Sequence, residues 1–268
     1  MHDMTTTLLS PYTVNAFNSA RDSENKIHDD TVAGAFGFRG GLVPGVDVYA
    51  YMTHLPVARW GRPWLERGRA TCRFLKPVYD GEDATVMAIE TANGLDISVE
   101  SHGELCATGQ ASLTQAPSAP DRTAPVMPLA TRVAADERSL APDTLLGIKP
   151  LRTDADFAAR YLDDLRETEP LYRRDGILHP GMILRTCNWA LTHNVVLGPW
   201  IHVGSAVQHL GAARVGDELS LHARVAANYE RKGHRFVELD GVVLSNAHTP
   251  VAHITHTAIY QPRATAAA

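Results

Sequence analysis

The chain has little that would tie it to a metal, a disulfide framework, a membrane or a nucleic acid. Its three cysteines, Cys72, Cys106 and Cys187, are odd in number and far apart. No Cys-x-x-Cys brings two together for zinc or redox work, so they read as small buried hydrophobes of a reducing, cytoplasmic compartment. No run approaches the ~18 apolar residues of a membrane span. Met1-His2-Asp3-Met4-Thr5 lacks the basic start and apolar stretch of a secretory signal, which is therefore not expected. A formal net charge of -5 supplies no electrostatic drive toward nucleic acid or an anionic membrane. No Gly-x-Ser-x-Gly elbow points to a serine hydrolase. His253 and His256 would face opposite sides of a strand, so no metal site is expected, and nothing implies a cofactor.

What is present is a plan used twice. The 268 residues, 44% of them hydrophobic, suffice for two modest cores. Residues 73–83 (Arg-Phe-Leu-Lys-Pro-Val-Tyr-Asp-Gly-Glu-Asp) correspond to residues 208–218 (Gln-His-Leu-Gly-Ala-Ala-Arg-Val-Gly-Asp-Glu) at a constant shift of 135 (210 − 75; 216 − 81). Pro44-Gly45 meets Pro180-Gly181 at a shift of 136 (180 − 44). Such self-similarity indicates a duplicated unit. Each copy reads as an apolar helix, Val46–Leu55 or Met182–Leu197, followed by strands. Ala70, Cys72 and Phe74 alternate with Arg69, Thr71 and Arg73 at the period of a half-buried strand. Strands are also expected over Asp83–Ala92, Leu95–Ser101, Glu104–Leu113, Glu218–Ala227, Arg235–Leu244 and Val251–Tyr260. Pro117, Pro120, Pro125, Pro128 and Pro142 mark a linker, which divides the chain into units 1–115 and 145–268 joined by 116–144.

The candidate chemistry lies ahead of the first helix, in Ser23-Glu24-Asn25-Lys26-Ile27-His28-Asp29-Asp30 and Gly37-Phe38-Arg39-Gly40-Gly41-Leu42-Val43-Pro44-Gly45. A lone loop histidine is more often structural. Here Asn25 can fix the turn through its amide, and Asp22, Glu24, Asp29 and Asp30 are carboxylates within reach to orient the His28 ring. The glycine-rich turn would aim unpaired N–H groups at negative charge developing on a carbonyl oxygen, with Gly45 the foremost donor. Arg39, Gly40, Gly41 and Pro44 are its substrate-binding side. Arg231-Lys232-Gly233-His234-Arg235 reads first as a solvated hairpin turn, with Lys232 and Arg235 as candidates for a phosphate.

These residues resemble the (R)-specific enoyl-CoA hydratases and related MaoC-like dehydratases of the hotdog superfamily. Their signature reads Asp-x-Asn-Pro-x-His before a His-Gly turn. The resemblance covers most of the chain and implies an α+β double hotdog: two central helices, each wrapped by an antiparallel sheet and paired as an internal pseudo-dimer, with room for a homodimer. It puts His28 in the place of the catalytic His and Asn25 in that of the family's Asn, with Gly45 at a similar spacing, 17 residues on (45 − 28). It implies a lyase that hydrates trans-2-enoyl thioesters, or dehydrates (R)-3-hydroxyacyl thioesters, of CoA or acyl carrier protein. Two positions depart. The family's Asp is Ser23, which cannot act as a base, and its Pro is Lys26. Asp22 or Glu24 would then substitute, or His28 would act alone with Ser23 binding water, or the hydratase chemistry is lost. The alternatives are a hotdog thioesterase and a non-catalytic acyl-thioester-binding subunit. The second unit keeps His179-Pro180-Gly181 but has Asp163 where His28 would recur (28 + 135), so the chemistry is expected on one side only. His179 and residues 200–205 leave open a second site, with packing the expected role.

Overall fold

A computed structural model describes residues 7–115, 117–121 and 124–263. The first unit opens with β1 (Thr7–Leu8) and β2 (Tyr12–Asn15). The candidate loop then carries a 3-10 turn at Lys26–His28 and the short helix α1 (Asp30–Ala35). Next come α2 (Gly45–Trp60), α3 (Arg62–Arg67), β3 (Gly68–Phe74), β4 (Asp83–Thr91), β5 (Gly94–Ser101) and β6 (Glu104–Leu113). A connecting stretch holds β7 (Val133–Ala134), β8 (Leu145–Leu146) and β9 (Leu151–Arg152). The second unit comprises α4 (Ala155–Asp164), α5 (Leu171–Asp175), α6 (Pro180–Asn194), β10 (Val195–Val196), β11 (Ile201–His209), β12 (Glu218–Arg231), β13 (His234–Ser245) and β14 (Thr249–Gln261).

The long strands form one antiparallel sheet, in the order β1-β4-β5-β6-β3-β11-β14-β13-β12-β8. Its two halves meet edge to edge where β3 pairs with β11, and this covers two edges that would otherwise be open. Thr71 pairs there with Ala206, the residue 135 positions later (206 − 71). That register is what an internal twofold passing through the pair would produce. α2 and α6 pack against each other and are wrapped by the sheet. This is the double hotdog expected from the sequence.

α2 is buried for the reason its composition gives, with apolar side chains nearly all round it, whereas α6 buries Met182, Ile183, Leu184, Cys187, Ala190 and Leu191 and leaves Arg185, Asn188, Trp189, Thr192 and His193 partly exposed along one side. In α2 even Asp47 and Thr53 are buried. The helix runs one turn past the expected Leu55, through Pro56, and stops at Gly61, whose φ of 61° a side chain would resist. α6 ends earlier than expected, at Asn194, because the β-branched pair Val195-Val196 leaves it to run parallel to Val133-Ala134. Where helices cross, a Cβ on Gly181 would lie 2.6 Å from Ala50 Cβ, so the glycine permits the close approach of α6 to α2.

The Pro-rich segment is not a free tether over its described part. Leu140 is fully buried, and Leu129 N–H donates to Asn194 Oδ1. Ala116, Arg122 and Thr123 lie outside the described residues. All three cysteines are free and buried. Burial pushes the thiols of Cys72 and Cys187 up to about 12, which leaves them inert.

Candidate active site

The loop between β2 and α2 folds back on itself through its own short polar side chains. Asn25 caps the 3-10 turn by accepting from Ile27 N–H, and Asp29 caps α1 by accepting from Val32 N–H. Asp30 accepts from Gly41 N–H at 2.7 Å. A Cβ on Gly41 would come 2.0 Å from the His28 carbonyl oxygen, so only glycine lets the two arms of the loop close.

The fold thereby fixes the His28 ring. Its Nδ1–H donates to the Leu42 carbonyl at 2.6 Å, which leaves Nε2 as the bare, basic nitrogen. Asn25 Nδ2 lies 3.3 Å from that Nε2. Asn25 is itself clamped by the second unit: Nδ2 donates to Trp200 O at 3.0 Å, and Oδ1 accepts from Trp200 N–H at 3.1 Å. Burial holds the imidazole below its ordinary pKa. The Leu42 hydrogen bond and the charge of Asp47 act against that, and the charge of Arg185 adds to it. The ring is therefore neutral, as a base must be, at neutral pH.

His28 stands where two cavities meet. One, of about 200 Å³, is lined by His28, Asn25 and Gly45 with the apolar side chains of Leu42, Val48, Phe74 and Val78. The other, of about 780 Å³, is more polar and is lined by Ser23, Arg132, Lys149, Arg185 and His193. Asn25, His28, Pro44, Asn188 and Trp200 border both. Gly45 is the first residue of α2, Pro44 caps it with no side-chain bond, and Gly45 N–H has no partner among the described residues. An unpaired N–H at the positive end of a long, buried helix is suited to a developing oxyanion.

Several expectations need correcting. The loop carboxylates do not orient His28: Asp29 and Asp30 are spent on backbone N–H groups, and Glu24, 75% exposed, pairs with Arg132 at 2.6 Å. The Leu42 carbonyl and Asn25 hold the ring instead. Of Arg39, Gly40, Gly41, Pro44 and Gly45, only Pro44 and Gly45 reach the cavities. Gly41 N–H is used by Asp30, a Cβ on Gly40 would meet the same carboxylate at 3.1 Å, and Arg39 is exposed, paired with Glu82 and stacked over Tyr79. Lys232 and Arg235 sit at the β12–β13 hairpin, where Arg235 is paired with Glu137, and neither borders the His28 cavities. Ser23 is present at the larger cavity, its Oγ 3.4 Å from the Asn25 carbonyl.

The second unit is closed by its own histidine. His179 Nδ1 accepts from Gly181 N–H at 3.1 Å, so the donor equivalent to Gly45 N–H is already taken. His179 Nε2 lies 3.4 Å from buried Glu167. Burial raises the Glu167 carboxyl, and its hydrogen bonds with His179 and His54 outweigh this and hold it well below the usual range. Asp163 is on the outer side of α4, paired with Arg173. His253 and His256 do point apart, one to Asp240 and the other to Ser205, and no cluster able to hold a metal occurs among the described residues.

Four further residues belong to the site. Asp47 and Arg185, from facing helices, form a buried pair at 2.6 Å, with Ser19 donating to Asp47 at 2.5 Å. Asp47 is the lone acid of α2 and Arg185 the lone arginine of α6. Asn188 Oδ1 is buried without a partner and borders both cavities. His202 joins from β11, out of the 200–205 segment to which packing had been ascribed, and borders the smaller cavity.

No family model matches the sequence, and no curated protein does. Solved structures share the fold at low identity. A protein of Chloroflexus aurantiacus described as a MaoC domain dehydratase has a TM-score of 0.61 and 12% identity, over 96% of this chain and 95% of that one. A Mycobacterium tuberculosis protein described as having a double hotdog fold has a TM-score of 0.62 and 12% identity, over 93% and 95%. A thioesterase II structure from Thermobifida fusca has a TM-score of 0.51 and 15% identity, over 95% and 93%. The chain is a double hotdog protein, of a fold found under both dehydratase and thioesterase names.

Proposed function

We propose that this protein is a lyase of acyl thioesters, adding water to a trans-2-enoyl group or removing it from the (R)-3-hydroxy form. One observation carries the reading. His28 is held in the tautomer that presents a bare Nε2, inside a cavity that also holds the free N–H of Gly45 at a helix start.

In the hydration direction His28 Nε2 takes a proton from water as the oxygen bonds to C3. The C2=C3 π electrons move toward the thioester oxygen, where Gly45 N–H opposes the growing charge. C2 then takes the proton back from Nε2. Atoms and charge balance with water as the sole co-reactant. By the resemblance, Ser23 takes the place of the family carboxylate that would hold that water, and it borders the larger cavity. Buried Asn188 Oδ1, without a partner, is the available acceptor for its second hydrogen. Asn25 acts as a positioning residue, tying the loop to Trp200. The apolar cavity suits the acyl end. The larger one, with Lys149 and Arg132 along it, suits the carrier, either CoA or acyl carrier protein.

Thioester hydrolysis is the second reading, favoured by the missing carboxylate: water activated by His28 would then attack the carbonyl itself. Loss of enoyl-thioester absorbance from trans-2-butenoyl-CoA and longer enoyl-CoAs, measured against release of free thiol, separates the two. Hydration without thiol release is expected. Thiol release alone would assign the hydrolase, and saturable binding with neither would leave an acyl-thioester-binding subunit.

A further inference from the structure

The larger cavity has a second polar end that the reaction above does not use. Lys149, on the connecting stretch, and His193, in the last turn of α6, border it together. The backbone ties one to the other, since Lys149 N–H donates to His193 Nδ1 at 3.2 Å. That bond decides the tautomer. With Nδ1 bare and accepting, the proton of the neutral imidazole is on Nε2. Burial, with the charges of Lys149 and Arg132 added, holds the ring below its ordinary pKa, so it is a neutral donor at neutral pH. The ring is partly exposed, and Nε2 is neither bonded nor enclosed among the described residues. Lys149 is exposed, and its Nζ has no partner among the described residues.

The surroundings favour an anion between these two groups. Arg132, Lys149 and Arg185 border the cavity, and Glu24 is the one acid along it among the described residues. Arg185 already answers Asp47, and Arg132 answers Glu24, which leaves the Lys149 charge uncompensated. Arg132 Nη1 also donates to Thr192 O at 3.0 Å, so the connecting stretch is fastened both to α6 and to the loop that carries Asn25. The negative end of α6 is muted at this point, because Ala190 O accepts from Asn194 Nδ2 at 2.7 Å while Thr192 O is taken by Arg132. His193 stands eight residues beyond Arg185 (193 − 185), about 12 Å along the helix. Arg185 is bonded to Asp47 in the first turn of α2, so the two residues mark the catalytic end and the far end of one cavity.

We infer that His193 Nε2–H and Lys149 Nζ bind the phosphate at the end of the carrier arm, with Arg132 holding the wall that presents Lys149. A directional N–H beside an unpaired ammonium suits a phosphate oxyanion, to which Lys binds as a point charge. The arm is a flexible chain with the thioester at one end and the phosphate at the other, and it is common to CoA and acyl carrier protein. The phosphate is therefore the chemistry that both sources share. His193 and Lys149 are binding residues that select the carrier and take no part in proton transfer. This inference rests on the thioester reading of the cavity.

The test compares thioesters that differ at that end of the arm. With the unmodified protein, trans-2-butenoyl-pantetheine, which lacks the phosphate, should have a KM about tenfold above that of trans-2-butenoyl-phosphopantetheine. Lys149→Ala and His193→Leu should each remove most of that advantage with a small change in kcat, and His193→Gln, which can still present an N–H, should keep part of it. The KM rise in Lys149→Ala, measured with butenoyl-CoA and with butenoyl-acyl carrier protein, shows which of them supplies the phosphate, and a rise with neither overturns the site. In the long-range ¹⁵N–¹H ring spectrum of the ligand-free protein, assigned with His193→Gln, His193 should show a bare Nδ1 and a protonated Nε2, and butyryl-CoA or butyryl-acyl carrier protein, as unreactive probes, should shift the Nε2 signal. Circular dichroism establishes that each variant folds, and the spectrum of the unmodified protein stands even if one does not. A bare Nε2 on His193, or an undiminished preference for the phosphate in the folded Ala and Leu variants, overturns the inference while leaving the thioester reading intact. Failure of the unmodified protein to bind or turn over any acyl thioester overturns both.

Discussion

At the scale of single residues the site depends on which nitrogen of His28 is unprotonated. Because the Leu42 carbonyl takes Nδ1–H, His28→Ala should lower turnover about 10²–10⁴-fold, with the thermal unfolding profile unchanged, since a half-buried loop ring adds little to the core. Normal turnover in a folded variant would remove His28 from the mechanism. The direction of its pKa shift sets the pH profile. Burial, the leading cause, favours the neutral base, so kcat/KM should hold as pH falls to the ordinary histidine value near 6.5 and drop only below it. Ser23→Asp should move that acid limb upward, because a carboxylate on the same cavity favours the imidazolium. If the lyase reading holds, the same substitution should preserve or raise hydration by restoring a holder for the water. An upward shift with no hydration in either protein would turn the assignment to hydrolysis or binding.

At the scale of elements, the buried Asp47–Arg185 pair ties α2 to α6. Removing one partner leaves a charge without compensation inside the protein. Arg185→Leu should therefore destabilise by about 3–5 kcal/mol, seen as a lower urea midpoint with an unchanged slope. The double variant Asp47→Leu/Arg185→Leu should recover much of that loss, because apolar side chains can fill the same space between the helices. A double variant no more stable than the single one would mean that the pair contributes more than mutual neutralisation. Ser19, which hydrogen-bonds both Asp47 and Arg185, links this crossing to the loop that carries His28.

For the whole molecule, the continuous sheet encloses histidines that unfolding would release to water. Burial pushes His209 down to about 4 and His256 down to about 3. Burial and the neighbouring His256 also take His202 well below its ordinary value. Below about pH 6.5 the unfolded chain binds protons that the folded one refuses, so stability is complete above that pH and falls as pH drops toward these lowered values. Each such group contributes about 1.4 kcal/mol per pH unit through that window. Urea unfolding at pH 7, 6 and 5 should show the decline, and His209→Gln should lessen its slope. A stability independent of pH across that range would contradict the buried, neutral state of these rings.

Sequence alone carried the architecture, because its signals are local or periodic. Apolar helices, alternating strands such as Ala70/Cys72/Phe74 and a repeat at 135 residues showed a duplicated unit of helix and strands, and the resemblance to MaoC-like dehydratases implied that it was a paired hotdog. Asn25, His28 and Gly45 were legible for the same reason, being close in the chain around one turn. The loop carboxylates were misjudged because spacing does not reveal whether an acid is spent capping a helix, as Asp29 is. Lys232 and Arg235 were misplaced because a basic cluster has the same composition at a cavity mouth as on a distant hairpin. Arg185, Asn188, Trp200 and His202 reach the site from more than 150 residues beyond His28. Only the packing of α6 on α2 and the pairing of β11 with β3 bring them there. Contacts made across that internal interface depend on how two units dock, and docking geometry leaves no periodicity in the chain to be read.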